Sequence, residues 1–265
     1  MKIVFHKNFL QKYTHDPAAS VGRLDHALRA VEKYHTIITP EPCSDKDVLL
    51  VHSLHHLNDV KSEGHVYQMA LLAAGATIKS AELAMNGEYA FALCRPPGHH
   101  ASPGSCWGFC YFNNVAIALK KLLSAGKINK VLIIDFDLHF GDGTNNTFSD
   151  DPRVNFWHVN GDRPSSFIAN LDQYLRTATA DIVAVSAGFD RHQLDWGRML
   201  STEDYRTIGT LLGSFARLNC QGRLFAALEG GYNHISLGDS LLAFLDGLEN
   251  APPCQGDGVI DNLLQ

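Results

Sequence analysis

Four short segments place carboxylate, imidazole and phenol side chains directly after apolar stretches of the sequence. Together they contain ligands for a divalent metal ion, a histidine pair suited to proton transfer, and a hydroxyl that can stabilise an oxyanion. This combination predicts metal-assisted hydrolysis of an amide. The four segments are residues 95–100 (Arg-Pro-Pro-Gly-His-His), 135–139 (Asp-Phe-Asp-Leu-His), 187–190 (Ala-Gly-Phe-Asp) and 229–233 (Glu-Gly-Gly-Tyr-Asn).

The metal ligands are predicted from two neighbouring strand ends. Asp137 and His139 follow a buried strand pattern. Because alternate residues of an extended chain point to the same side, the two can bind one ion. Asp190 ends the next buried strand pattern and adds a second carboxylate, which leaves positions for water and substrate, as catalytic zinc requires. The alternative is that each residue only caps a helix or a turn, which is common for a single aspartate.

The adjacent histidines His99 and His100 lie in a loop that two prolines keep irregular. Histidine titrates near neutral pH, which suits it to accept and return a proton. Asp135 and Asp142 are the predicted partners of this pair, since a carboxylate fixes the tautomer and strengthens the base. Most other histidines, His158 among them, are interpreted as structural or merely exposed.

The walls of a substrate pocket are predicted from aromatic and glycine residues near these segments. Gly230 lets the backbone approach a ligand closely, and the hydroxyl of Tyr232 can donate a hydrogen bond to an oxyanion. Gly108 and Phe109 belong to an aromatic segment that follows the histidine pair, and Phe109 can line a narrow apolar channel. The alternatives are core packing for the aromatic segment and an ordinary turn at residues 230–232.

Helix-like and strand-like patterns alternate along the chain, which predicts an α/β fold with a mainly parallel sheet covered by helices. Ligands bind at the carboxyl edge of such a sheet, and the chemical residues cluster where strands are predicted to end. Strands are expected at residues 3–5, 89–94, 130–137, 154–157, 181–186 and 223–228, and helices at residues 23–34, 66–85, 113–124, 166–177, 203–218 and 237–248, with a further helix start at residues 44–47.

The composition is that of an ordinary globular protein. Its 265 residues fit one domain, residues 1–265, with a loose Pro/Gly-rich tail from Ala251. A net charge of −6 argues against nucleic acid as a partner, because phosphate binding needs a basic surface. No signal peptide is recognisable, and no apolar run approaches the ~18 residues of a membrane span. The six cysteines show no paired spacing, so we expect reduced thiols in a cytoplasmic protein without a membrane partner.

From about His52 to Asn233 the sequence closely resembles the zinc-dependent histone deacetylase family and its acetylpolyamine amidohydrolase relatives. The Arg-Pro-Pro-Gly-His-His form is similar to the class II branch and its bacterial or archaeal relatives. The resemblance implies the three-layer arginase/deacetylase α/β fold. The resemblance is densest in residues 95–101, 108–116, 135–139 and 186–190.

The resemblance also implies roles for individual residues. It implies one Zn²⁺ bound by the aspartate–histidine–aspartate set described above. His100 would be the general base and then the general acid, His99 its electrostatic neighbour, and Tyr232 the hydroxyl that polarises the carbonyl. A structural K⁺ or Na⁺ near Asp135 and the two metal ligands that follow it is usual in the family.

The chain departs from the family pattern after residue 143. Phe156 stands where a serine is common, and residues 160–164 replace most of a Phe- and Gly-rich loop that forms the other pocket wall. The stretch to Asp181 is also shorter than usual. We therefore expect a more open pocket without the second, facing phenylalanine.

The sequence thus predicts a zinc-dependent amidohydrolase that removes an acetyl or short acyl group from acetyl-lysine, an acetylpolyamine or an acetylated metabolite. One alternative is a binuclear manganese ureohydrolase on the same fold. That chemistry needs further carboxylates, and although Asp195 is near, His192 stands where an aspartate is expected. Another alternative is a non-catalytic acyl-ligand binder, which loss of His100 or Tyr232 would have indicated; both are present.

Overall fold

Seven parallel strands form one sheet in a computed structural model, which describes residues 1–251 of the chain. The strands are β1 (Lys2–Val4), β2 (Thr36–Ile38), β3 (Ala90–Ala92), β4 (Val131–Asp135), β5 (Val154–His158), β6 (Ile182–Ala187) and β7 (Leu224–Leu228). Their order across the sheet is β2-β1-β3-β7-β6-β4-β5. Every pairing within this sheet is parallel, which confirms the predicted α/β class.

Helices fill most of the connections between these strands, as parallel pairing requires. Two short 3₁₀ helices, Lys7–Leu10 and Pro17–Ala19, lie in the first connection. Several helices begin at the polar caps their sequences predict; Ser201 and Asp204, for example, form a capping box. The α-helices are α1 (Asp25–Val31), α2 (Asp45–Val48), α3 (Leu54–Ser62), α4 (His65–Met85), α5 (Asn114–Ser124), α6 (Asp142–Phe148), α7 (Pro164–Thr177), α8 (Thr202–Asn219) and α9 (His234–Asn250).

Helices flank the sheet because its central strands are buried on both faces. The strands β3, β4, β6 and β7 are buried at every position, so neither of their faces can be left to solvent. Helix α4 packs along β1, β3 and β7. Tyr205 of α8 and Phe244 of α9 pack against an aromatic cluster of Phe91, Phe136 and Phe189.

Three of the described strands and α-helices were not predicted from the sequence. Strand β2 has only three residues, and helix α3 is short, with three apolar residues among nine. Helix α6 consists largely of Gly, Asn and Thr, which are weak helix formers, so its composition resembles a loop. Ala251, the start of the predicted tail, is buried, and the rest of that tail lies outside the described residues. None of the described helices combines the length and apolarity that crossing a membrane demands.

The sheet order brings the predicted chemical segments side by side. Strands β7, β6 and β4 are neighbours, and the segments that begin at residues 229, 187 and 135 follow or end these three strands. Because all three strands are parallel, their carboxyl ends lie at one edge of the sheet. The loop with the histidine pair follows β3, which is the other neighbour of β7. The fold therefore gathers all four segments at one place.

Candidate active site

The three predicted metal ligands lie together at the carboxyl ends of β4 and β6. One ligand atom from each of Asp137, His139 and Asp190 lies within 4.8 Å of the other two. His139 Nδ1 is 3.4 Å from Asp137 Oδ1 and 3.4 Å from Asp190 Oδ2. Both aspartates are buried, whereas His139 is partly exposed. This cluster can hold one metal ion and leave positions open on the exposed side.

Main-chain N–H groups hold the two carboxylates in place. Asp137 accepts hydrogen bonds from the N–H groups of His139 and Gly230, at 2.9 and 2.8 Å. Asp190 Oδ1 accepts one from Leu138 at 3.0 Å, but its Oδ2 is buried without a hydrogen-bond partner. A Cβ at Gly230 would meet Asp137 Oδ2 at 2.6 Å, so glycine is needed there. An unpartnered buried carboxylate oxygen is costly, and a cation beside it removes that cost.

The electrostatics of the cluster also favour a cation. Burial and the nearby charge of Asp137 raise the pKa of Asp190 to about 6. The neighbouring carboxylates of Asp137 and Asp190 raise the pKa of His139 to about 9. Both shifts arise because two carboxylates lie close together in a buried place. The residues present therefore fit a divalent cation.

His99 lies between Asp135 and a metal-ligand carboxylate. Its Nδ1 is 3.0 Å from Asp135 Oδ2, and its Nε2 is 3.7 Å from Asp137 Oδ1. Burial opposes a charge on His99, but the carboxylates of Asp137 and Asp135 outweigh it and raise its pKa well above the usual value. Asp135 also accepts a hydrogen bond from the N–H of Asp137 at 3.0 Å. Asp135 is thus the partner of His99 in the predicted pair.

His100 has the other predicted carboxylate as its partner. His100 Nδ1 lies 2.6 Å from Asp142 Oδ1, and the indole N–H of Trp107 donates to Asp142 Oδ2 at 2.8 Å. The Trp107 and His100 ring centroids are 3.8 Å apart. Burial and the charge of His99 lower the pKa of His100 to about 4, although Asp142 acts in the opposite direction. His100 is therefore neutral near neutral pH and can accept a proton on Nε2.

Tyr232 is positioned by a carboxylate that binds its backbone N–H and by aromatic rings that contact its side chain. Asp195 Oδ2 accepts hydrogen bonds from the N–H groups of Tyr232 and Asn233, at 2.6 and 2.7 Å. Trp196 stacks on the Tyr232 ring at a centroid distance of 3.9 Å, and Phe109 meets it edge-on at 6.1 Å. Burial is the main cause that raises the pKa of Tyr232, so its hydroxyl stays protonated. Tyr232 can therefore act as a hydrogen-bond donor.

A buried arginine that the sequence did not single out supports the same loop. The Arg23 guanidinium donates to the carbonyl oxygens of Gly231 and Glu229, at 2.8 and 2.6 Å, and lies 5.1 Å from the Tyr232 ring centre. The Glu229 carboxylate in turn accepts hydrogen bonds from the backbone that leads into the histidine pair. Arg23 lies over 200 residues from this loop in sequence, and no local pattern marks it.

A cavity of about 120 Å³ connects these groups. Its lining includes all three residues predicted to contact substrate, Gly108, Phe109 and Gly230. Trp107 and Trp196, which were not predicted, also line it, and each is about half exposed. Trp196 therefore adds an aromatic pocket wall that the sequence did not predict. The remaining lining residues are Pro97, His99, His100, His139 and Tyr232.

The strand register shows which residue of β5 lies beside Asp135. Asp135 pairs with His158, and Ile133 pairs with Phe156. The residue beside Asp135 is therefore His158 and not Phe156, and its Nδ1 lies 3.6 Å from Asp135 Oδ1.

The residues that the ureohydrolase alternative would use are occupied by loop contacts. Asp195 Oδ1 accepts a hydrogen bond from the N–H of Trp196 at 2.8 Å, and its Oδ2 holds the loop after β7 as described above. His192 Nδ1 accepts from the N–H of Leu194 at 3.1 Å, and its Nε2 lies 3.2 Å from Thr202 Oγ1. Neither side chain belongs to the metal-ligand cluster found in residues 1–251. The arrangement therefore favours a single divalent ion.

A second buried group of potential ligands lies behind the histidine pair. It consists of His99, Cys110 and Glu229. Burial raises the pKa of the Cys110 thiol well above its usual value and that of Glu229 to about 7. Since a thiol must lose its proton to bind a metal ion, this group is a poor metal site. The five cysteines within the described residues form no disulfide with one another.

The α/β fold, with a cluster of possible metal ligands at the carboxyl edge of its sheet, defines the class of protein, and comparisons with known proteins identify the family. The family model described as the histone deacetylase domain matches residues 17–167 and 162–248. The chain is 31% identical to a probable deacetylase of Archaeoglobus fulgidus, in an alignment that covers 87% of this chain and 81% of that protein. The chain therefore belongs to the histone deacetylase family.

Other relatives and a solved structure agree with this family. Histone deacetylase 5 of Arabidopsis thaliana is 31% identical over 86% of this chain and 44% of its own length. Polyamine deacetylase HDAC10 of Danio rerio is 32% identical over 83% of this chain and 38% of its own length. The chain thus spans less than half the length of these two relatives. The solved HDA15 HD domain has the same fold, with a TM-score of 0.82, 24% identity, and coverage of 96% of this chain and 90% of that one.

Proposed function

We propose that this chain is a zinc-dependent amidohydrolase that removes an acetyl or short acyl group from an amine. The observation that carries the proposal is the cluster of Asp137, His139 and Asp190, with ligand atoms within 4.8 Å, beside a cavity lined by His100 and Tyr232. Membership of the histone deacetylase family supports the same reaction.

The donor set fits Zn²⁺, which accepts imidazole nitrogen and carboxylate oxygen and tolerates open positions in catalytic sites. The unpartnered Oδ2 of Asp190 and the raised pKa of that residue support a cation at this place. When bound, Zn²⁺ would lower the pKa of a water molecule and polarise the amide carbonyl.

The histidine pair would move the protons of the reaction. His100 would take a proton from the attacking water and return it to the amine nitrogen as the C–N bond breaks. Its lowered pKa keeps it neutral for the first step, and Asp142 would stabilise the imidazolium that forms. His99, held between Asp135 and Asp137, would carry a positive charge that repels the imidazolium of His100. This repulsion would favour transfer of the proton from His100 to the amine.

Tyr232 would stabilise the negative charge that develops on the carbonyl oxygen. Its hydroxyl is a protonated donor in a half-buried place, where a hydrogen bond to an oxyanion is stronger than in water. The Asp195 carboxylate fixes the backbone that carries it, so little reorganisation is needed when the charge appears.

The pocket supports a linear acylated amine as the substrate. Its cavity is small, about 120 Å³, and Phe109, Trp107 and Trp196 give it aromatic walls that suit an alkyl chain. Aromatic faces also attract ammonium groups, and the described residues that line the cavity include no lysine or arginine. Acetyl-lysine, acetylpolyamines and acetylated metabolites share this chemistry. The proposal places the activity in one cytoplasmic domain. It includes no nucleic acid partner, and the net charge of −6 supports this point.

A substrate screen with measured metal content tests this function. Purified protein is incubated with an acetyl-lysine peptide, an N-acetylated polyamine and a small N-acetylated amine, and the released acetate is quantified. We expect release from at least one class, and loss of release in His100→Ala while the zinc content stays the same. Protein that carries one zinc per chain but releases no acetate from any class would refute the proposal.

A further inference from the structure

The guanidinium of Arg191 lies in a ring of main-chain oxygens beside the candidate metal site. Its Nε donates to the carbonyl oxygens of Phe136 and Asp137, at 3.3 and 3.0 Å. Its Nη2 lies within donating distance of the carbonyl oxygens of Leu138 and Val159, at 3.3 and 3.4 Å. Four carbonyl groups from the ends of β4 and β5 thus point at one positive group.

This guanidinium is enclosed on its other sides. Arg191 is 8% exposed. The Phe167 ring covers the guanidinium at 5.0 Å from the ring centre, and Phe167 is fully buried. His158 Nε2 lies 3.1 Å from Arg191 Nη2 and completes the acceptors. The group is therefore built into the fold and is not a surface side chain that happens to rest there.

A ring of carbonyl oxygens near buried carboxylates is a binding site for a hard cation. The family resemblance implies a structural K⁺ or Na⁺ in this region, near Asp135 and Asp137. The residues of this chain do not fit such an ion, because the guanidinium already uses the carbonyl oxygens on both sides of Asp137 and that of Asp137 itself. A monovalent ion at this place would have to displace a charged side chain that is over nine-tenths buried.

We propose that Arg191 replaces the structural monovalent cation in this chain, so that the protein needs neither K⁺ nor Na⁺ at this place. The charge is then covalently attached and does not depend on the concentration of an ion. The effect on activity rests on the proposed deacetylase function, whereas the effect on stability rests only on the contacts described here.

Arg191 is a positioning residue for two parts of the site. It holds the carbonyl groups of residues 136–138, which are the backbone that carries Asp137 and leads into His139. Because Arg191 can only donate, His158 Nε2 must accept, which puts the His158 proton on Nδ1, the atom 3.6 Å from Asp135. Asp135 in turn orients His99. Arg191 therefore supports both the metal ligands and the histidine pair without touching substrate.

Thermal unfolding in different salts tests the replacement. The wild-type protein, Arg191→Ala and a control, Arg153→Ala, are melted in KCl and in tetramethylammonium chloride at equal ionic strength, and zinc content is measured in both. Arg153 pairs with Asp151 at the surface, and the atoms in contact are 3.2 Å or less apart. The Arg153→Ala control therefore measures the effect of removing an arginine that lies outside the buried site. Tetramethylammonium is too large to enter the ring of oxygens.

We expect the wild type and Arg153→Ala to have the same Tm in both salts. Arg191→Ala should have a Tm at least ~5 °C lower in tetramethylammonium chloride than in KCl, since the buried carbonyl oxygens then have no cation beside them. Addition of KCl to this sample should raise the Tm of Arg191→Ala part of the way back, with a saturable dependence on the K⁺ concentration. The zinc content and acetate release of the variant should recover in parallel.

Two results would overturn the replacement. One is a wild-type Tm that rises saturably with K⁺, because the ion would then bind despite Arg191. The other is a folded Arg191→Ala whose Tm and zinc content do not respond to K⁺. If that variant does not fold, the wild-type titration alone decides. Absence of acetate release in every sample, with the expected Tm pattern, would refute the deacetylase function and leave the replacement supported.

Discussion

Replacing Tyr232 by phenylalanine removes one oxygen and leaves the packing of the ring intact. The Tyr232 ring stacks on Trp196 at 3.9 Å and 20°, meets Phe109 at its edge, and lies under the Arg23 guanidinium at 5.1 Å. All these contacts involve ring atoms that phenylalanine retains. The backbone is held separately, through the hydrogen bond from its N–H to Asp195. The variant therefore isolates the hydroxyl.

The size of the effect follows from the role assigned to that hydroxyl. Burial keeps it protonated, so it is a donor at every pH at which the enzyme is assayed. One oxyanion donor contributes ~10²–10³-fold to turnover, or about 2.7–4 kcal/mol. We expect Tyr232→Phe to lower kcat by this factor. KM should change little, because the neutral carbonyl attracts the hydroxyl less than the oxyanion does.

Steady-state kinetics on the best substrate of the screen, with zinc content measured in the same samples, tests this expectation. Tyr89→Phe is the matched control, since its hydroxyl donates to the carbonyl oxygen of Gly213 at 2.9 Å, away from the site. That variant should keep its kcat. Near-normal turnover of Tyr232→Phe with only a raised KM would refute the reasoning, because Tyr232 would then be a wall of the pocket and not a donor in the transition state.

Three further changes test the metal ligands and the histidine pair. Asp190→Ala should lose most of the bound zinc in elemental analysis; full occupancy with unchanged activity would contradict its assignment as a ligand. His100→Ala should lower the rate at least ~10²-fold, and more than His99→Ala does. If His99→Ala is the more damaging change while both variants keep their zinc, the two roles are exchanged. Asp142→Asn removes a carboxylate that raises the pKa of His100. The base would then lose its proton at lower pH, so the acidic limb of the pH–rate profile should shift to lower pH. The plateau rate should also fall by about tenfold. A limb at unchanged pH would show that His100 is not the titrating base.

The central strands could be predicted because burial on both faces leaves a continuous apolar run. Strands β4, β6 and β7 have such runs, and polar residues follow each of them. The parallel sheet and the meeting of the strand ends then follow from the alternation of strands and helices. For this reason the metal-ligand cluster and the two histidine–carboxylate pairs could be proposed from the positions of these residues and the chemistry of their side chains.

The pocket wall could not be predicted in the same way. Trp196 follows Asp190 by six residues in a loop, and nothing in its local sequence shows that it stacks on Tyr232. That contact depends on Asp195, whose carboxylate accepts hydrogen bonds from the loop after β7. A hydrogen bond between two loops that are far apart in sequence has no period and no motif. The same reason explains why Arg23 was missed.

Charge balance explains why these unpredicted contacts matter for the site. Asp135, Asp137 and Asp190 are all buried, and three buried carboxylates are costly unless positive groups lie near them. His99 supplies positive charge between the first two, and Arg191 supplies it from the other side. Because the hydrogen bonds of Arg191 go to carbonyl oxygens and to His158, it offsets negative charge without using the carboxylate oxygens. Those oxygens stay available for a divalent ion, so a permanent charge in the fold and an exchangeable one in the cluster can coexist.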